Sequence, residues 1–216
     1  MKQSVRKSMV GVVAATSVLA LTTATAHATG QGLTTTQDIT LTNSGNVSFR
    51  DNATGWGFGC TNSIGTGTAD VDAPQASPVF RITSLTLTSP YSGWNGRCEG
   101  FFPQQVTADT TTPWAFNVTG STVSYVTPGT LTGVKLTIVG GDACHVVVGG
   151  PGGAGGTLSA NYSNSAHSLN INRPVGTNNL TVQSVDNNCD PTFVNVGDAF
   201  SMFGTYPINP RITIIR

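Results

Sequence analysis

The sequence predicts an all-β fold: an antiparallel β-sandwich or barrel-like domain with two disulfides, behind a cleaved signal peptide. Three observations carry this expectation. Apolar residues alternate with Thr, Ser and Asn at period two, Gly, Pro and Asn turns recur at short intervals, and four cysteines follow an export-type leader. Short alternating segments between turn signals indicate a sandwich or barrel rather than an α/β fold. No stretch beyond the leader has a helical period.

The leader is set aside first. Lys2, Arg6 and Lys7 precede an apolar run over 9–21, and Ala26-His27-Ala28 supplies the small-x-small cleavage pattern. The run is too short for a permanent bilayer-spanning helix, and no later segment replaces it, so no membrane span is expected in the mature chain. The expected plan is a signal peptide over 1–28 and a single β domain over 29–216. A finer division into halves of about 34–106 and 114–216, sharing a core, is open.

Charge excludes one class of partner. Three of the ten basic residues fall in the leader, leaving seven against ten acidic, with Lys135 the single lysine and Glu99 the single glutamate of the mature chain. Phosphate-backbone binding needs clustered Lys or Arg, so no nucleic-acid role is expected.

The strands follow in order. Ile39 and Leu41 alternate with Thr40 and Thr42, the turn residues 43–46 follow, and Val47 and Phe49 resume the pattern, which reads as a hairpin. Ile82, Leu85 and Leu87 mark a second region, and Val134, Leu136 and Ile138 a third. Cys144, Val146 and Val148 share one face, opposite His145 and Val147. Later strands are expected at 158–162, 169–171, 180–185, 193–196 and 200–206. The GGPGGAGG run at 149–156 reads as a flexible surface loop; it lacks the Lys-Ser/Thr tail of a phosphate cradle.

Cys60, Cys98, Cys144 and Cys189 allow three connectivities. Pairing within each half joins Cys60 to Cys98 and Cys144 to Cys189, and loops of this size are each worth about 4 kcal/mol in the chain-entropy account. No spacing suits zinc.

A succession of motifs then stands out: TLTSP at 86–90, Cys98-Glu99-Gly100, Pro113-Trp114, the cysteine strand at 144–148, ANYSNS at 160–165 and NNCDPTFVNVGDAF at 187–200. It resembles a group of small secreted four-cysteine β proteins of filamentous, high-GC Gram-positive bacteria. The resemblance covers most of the mature chain. It implies bacterial export and a paired-cysteine β scaffold, and it implies no reaction.

Chemistry is sparse. Bridged cysteines offer no thiolate, no G-x-S-x-G elbow occurs, and only His145 and His167 could serve as a base in the mature chain. Glycoside hydrolysis would need two carboxylates, and Glu99, the single glutamate, has Asp109 as its nearest acidic neighbour in sequence. Asp70-x-Asp72 and the DNNCD run at 186–190 offer oxygen ligands for calcium but lack the Gly and terminal Glu of an EF-hand, and Asp and Asn also favour turns on backbone grounds alone. No catalytic residue, metal or cofactor is assigned.

The aromatic residues are more informative. Trp56, Tyr91, Trp94, Phe101 and Phe102 flank Cys60 or Cys98, with Trp114 further on. Exposed rings beside Asn and Asp side chains would stack sugars, which makes Trp56, Tyr91 and Trp94 the ligand-binding candidates. The competing reading packs Trp on a disulfide. The expected function is that of a secreted or cell-envelope-associated non-catalytic protein, structural or acting by surface interaction. A carbohydrate-binding module is the alternative, and an extracellular hydrolase the third. The sequence assigns no partner; the candidates are cell-wall or extracellular polysaccharide, or further copies of the chain joined through sheet edges. The uncharged segments 85–88, 180–185 and 212–215 lack the lysines that protect such edges. The last of these should dock as a strand or pair between molecules.

Overall fold

The computed structural model describes residues 35–70, 77–90, 93, 95–172 and 178–215; the signal-peptide expectation lies outside them. Fifteen strands are described. In the first half these are β1 (Thr36–Thr42), β2 (Val47–Asp51), β3 (Gly57–Cys60), β4 (Asn62–Asp70), β5 (Phe80–Thr88), β6 (Glu99–Gly100) and β7 (Gln104–Ala108). Then come β8 (Trp114–Val118), β9 (Val126–Val134), β10 (Leu136–Gly140), β11 (His145–Gly149), β12 (Gly156–Ser163), β13 (Ser168–Ile171), β14 (Thr181–Val185) and β15 (Phe200–Asn209).

Eight of them close an antiparallel barrel in the order β1, β4, β5, β8, β9, β12, β13, β15 and back to β1. The seam between first and last strands is short, with Thr40 opposite Asn209 and Leu41 opposite Ile208. Inward residues must fill a small barrel completely, which favours large side chains opposite small ones. On β4 the inward row is Ser63, Gly65, Gly67 and Ala69, while Ile64 faces out and is 48% exposed. The bulk comes from Phe80, Trp114, Phe116, Tyr162 and Tyr206, all buried. The Tyr206 hydroxyl meets Ser63 Oγ at 3.0 Å, and Trp114 Nε1 donates to the Asp109 carbonyl at 3.0 Å. Gly67 is required by close approach, since a Cβ there would strike the Arg81 carbonyl.

Two flaps extend one end of the barrel. β5 pairs with β8 through Phe80–Ile82 but with β7 through Thr86 and Leu87, and β10, β11 and β14 continue from β7. From the first half of β15, β2, β3 and β6 continue the other way. Bridges between Cys98 and Gln104, and between Thr181 and Ala199, join the flap ends. One contiguous apolar cluster runs from Ile39 to Ile214 through both parts.

Several sequence expectations change in detail. β1 and β2 are not a hairpin; both run antiparallel to β15, and 43–46 is a jog between them. Asn43 keeps the strand going, its backbone N–H donating to Ser63 O at 3.0 Å and its Oδ1 accepting from Ser63 N at 2.7 Å, while Gly45 takes φ +80°. The spacing of three between Ile82 and Leu85 comes from a bulge: Ser84 faces Thr66 and Ile82 faces Gly67, leaving Thr83 extra. The 193–196 segment is a loop, with Val194 buried and Val196 60% exposed. The glycine run at 149–156 includes a compact turn, with a one-turn 3₁₀ segment at Pro151–Gly153 and Gly153 N donating to Gln183 Oε1 at 3.0 Å.

The three uncharged segments are all engaged within the chain. β5 is paired on both sides, and residues 197–200 cover β14 through Val182 N to Asp198 O and Phe200 N to Leu180 O, both 2.9 Å. The terminal segment docks without joining a ladder. Ile212 and Ile214 are each 4% exposed, while Arg211, Thr213 and Ile215 face solvent. Side chains take the place of a partner strand: Tyr162 donates to Ile212 O at 2.9 Å, and Asn164 bonds both Ile214 N (2.8 Å) and Ile214 O (2.7 Å).

Removing residues 211–216 should therefore destabilise the protein strongly. Ile212→Ala alone should cost about 2–4 kcal/mol in urea unfolding. The Ile214 amide should be protected in hydrogen exchange at every protein concentration. Free exchange there would show a frayed tail.

Candidate functional site

Both disulfides lie at the flap end of the molecule. Cys60 ends β3 and bonds Cys98 just before β6; Cys144 precedes β11 and bonds Cys189, with Cα–Cα distances of 4.5 Å in both. The pairing within halves is therefore the one observed. Each bridge anchors a loop that carries phenylalanine: 101–103, with Phe101 and Phe102, follows Cys98 and β6, and 190–198, with Phe193, follows Cys189.

These loops bring three phenylalanines together. Phe101 and Phe102 meet edge to face at 4.9 Å, Phe101 and Phe193 lie 5.6 Å apart, and Phe102 and Phe193 are 6.3 Å apart at 86°. Phe101 is 73% exposed, and the other two are half-buried beneath it. Edge-to-face contacts of this kind add to what area burial supplies, so the rings hold one another in place. Trp56 lies beside them, half-buried, packed on the core and tilted against Phe58 at 5.3 Å. Trp56, Phe102, Gln104, Asp142, Cys144 and Asp190 line a hollow of about 10 Å³, space for a single water and too little for a sugar ring.

The rim is acidic. Asp190 is exposed, and the backbone N–H and hydroxyl of Thr192, both at 2.8 Å, hold its carboxyl below the usual carboxylate range. Asp142 is exposed and accepts from Cys144 N at 3.2 Å. Thr54 ties the 51–56 turn to the platform by donating to Phe193 O at 2.6 Å. Asp51, which begins that turn, is fully buried. Burial raises its carboxyl pKa against two backbone N–H bonds from Thr54 and Ala53, and the neighbouring Asp198 carboxylate raises it further.

Of the three sequence candidates, only Trp56 is brought to this surface; Tyr91 and Trp94 lie outside the described residues. Trp114 is a core residue with 0% exposure. The calcium candidates are occupied as turn formers or ion-pair partners. Asp70 pairs with Arg81 at 3.4 Å, Asp186 accepts from Asn188 N at 3.0 Å, and Asp72 lies outside the described residues. Asp186 also sits within reach of Cys144 and Cys189, but both sulfurs are in the disulfide and offer no thiolate. Glu99 and His145 are both exposed, and no described hydrogen bond joins either side chain to a second titratable group. Phe193 is the residue that sequence reasoning missed as a site member. Its apolar neighbours suggest a strand, whereas the loop after Cys189, held by that bridge, by Thr54 and by buried Val194, brings it to Phe101.

Comparison with protein-family models, with curated proteins and with solved structures finds no match for this chain.

Reduction of both bridges should lower the thermal midpoint by more than 10 °C and raise protease cutting within 99–103 and 186–198, since each closes a loop worth about 4 kcal/mol. An unchanged midpoint would show that the barrel core holds these loops unaided. Trp56→Ala should cost about 3 kcal/mol of folding stability, in keeping with half-burial against the core; a loss under about 0.5 kcal/mol would mark the ring as a surface group instead.

Proposed function

We propose that the chain is an exported, non-catalytic bacterial protein of the extracellular space or cell envelope that works by surface contact through the Phe101–Phe102–Phe193 platform. The observation that carries this reading is a large aromatic ring, Phe101, held 73% exposed on loops braced by two disulfides. Ordering such a ring in water serves no core, whereas aromatic anchors on rigid loops bind with little loss of conformational entropy. Two disulfides in the domain and the leader-type sequence at residues 1–28 support the extracellular placement.

Cell-wall polysaccharide is the partner favoured by the rim. Asp142, Asp190 and Trp56 border Phe102 and Phe193, on which Phe101 packs, so apolar rings for stacking lie near acceptors for sugar hydroxyls. The 10 Å³ hollow admits no sugar, so stacking would take place on the open platform.

Co-sedimentation with purified Gram-positive cell walls, before and after removal of the wall polysaccharides, tests the reading. Phe101→Ala should weaken retention at least about tenfold, as loss of a contact hot spot does. It should change folding stability by under about 1 kcal/mol, because the ring is exposed. Retention equal to the wild type would remove the platform from consideration. Retention that survives stripping of the polysaccharide would point to a protein or peptidoglycan partner.

A further inference from the structure

Asp51 is the one fully buried carboxylate described, and it is only half satisfied. Its Oδ1 accepts from Ala53 N at 2.9 Å and Thr54 N at 3.0 Å, while its Oδ2 has no hydrogen-bond partner. Against it lies a second carboxylate, Asp198. That group too is held on one side, its Oδ2 accepting from Asn195 N at 2.8 Å and Asn195 Nδ2 at 3.3 Å. No described ion pair reaches either residue; the described pairs are Arg81–Asp70 and Lys135–Asp109.

Two acceptor-only groups in contact require something between them, because like charges in a buried site repel and an unpaired buried carboxylate costs several kcal/mol. A shared proton and a cation are the two chemical solutions. The donor geometry favours the cation. N–H donors hold one oxygen of each carboxylate, and Asp51 Oδ2 is left buried without a hydrogen-bond donor on the Asp198 side. Hard divalent cations take such preoriented carboxylate oxygens, completed by backbone carbonyls and water. The two residues also sit on adjoining turns: Asn52 N donates to Ala199 O at 2.8 Å, and Asp51 lies opposite Phe200 in the β2–β15 ladder.

We propose that Asp51 and Asp198 form a binding site for a divalent, oxygen-seeking cation of the calcium type, which pins the 51–56 turn to the 195–198 turn. This site does not depend on the platform reading. It would stiffen the base of the platform, because Thr54 holds the Phe193 carbonyl from the same turn.

The test uses the whole protein stripped with EDTA at pH 7.5. Millimolar calcium should raise the thermal midpoint by roughly 4–8 °C, and terbium should bind with emission sensitised by Trp56, displaced by calcium. Asp51→Asn and Asp198→Asn should each abolish both responses, while Asp190→Asn, at an exposed acid outside the pair, should keep them. Asp198 is half-exposed, so Asp198→Asn decides the matter if Asp51→Asn fails to fold. A wild-type midpoint indifferent to calcium overturns the proposal, as does a calcium response that survives in Asp198→Asn. Indifference to calcium combined with a midpoint that rises on acidification identifies a shared proton instead.

Discussion

Closure of the barrel between its first and last strands is the constraint on which the rest of the structure depends. A sheet closed on itself exposes no edge, and this chain has few charges with which to protect one. The closing seam is nevertheless the shortest in the barrel, two residue pairs between β1 and β15, spanning 169 positions in sequence at Thr40 and Asn209. Contacts of such separation cost loop entropy before they return anything, so they must be reinforced. Three reinforcements converge there. Tyr206 reaches past β1 to Ser63 on β4, Asn43 extends the β1–β4 pairing beyond the strand, and the terminal isoleucines enter the core just after β15 ends.

The same seam explains how the barrel acquires its second part. β15 is longer than closure requires, and its first half is free to pair with β2 instead of β1. On the opposite side β5 divides its length between β8 and β7 in the same manner. Two strands that outrun the barrel thus seed two flaps, and bridges at Cys98–Gln104 and Thr181–Ala199 bring the flaps back together. Next to the disulfides pairing is sparse: β6 has two residues, and 186–198 contains no strand. The covalent bridges sit beside these sparsely paired segments, where they restrict the loops that follow Cys98 and Cys189.

That division of labour fits the proposed role in surface contact. The barrel supplies rigidity, and the disulfide-braced end supplies loops that anchor through Val194 and present Phe101 to solvent. Phe101 is exposed while it packs against the half-buried rings of Phe102 and Phe193. The unsatisfied Asp51 oxygen lies at the base of the same loops, where a polar group without a partner is costly and tends to mark a site.

The all-β class, the two-bridge connectivity and most strand positions were legible in the sequence. Period-two burial and a cysteine pair in each half are local or nearly local properties. Cys144, Val146 and Val148 do face the core, with His145 outward, and β12, β13, β14 and β15 lie within a few residues of where alternation places them. Partner choice was not legible. The 43–46 residues have turn chemistry, yet whether they reverse the chain or merely step it sideways depends on β15, more than 150 residues away, accepting both flanking strands. The site divides in the same way. Aromatics near Cys60 and Cys98 are visible in the sequence, but Phe193 joins Phe101 only through the fold, and Asp51 meets Asp198 only because β2 pairs with β15. Alternation records which face of a strand is buried; it carries no record of which strand lies beside it, and that is decided by closing the barrel around side chains of the right volume.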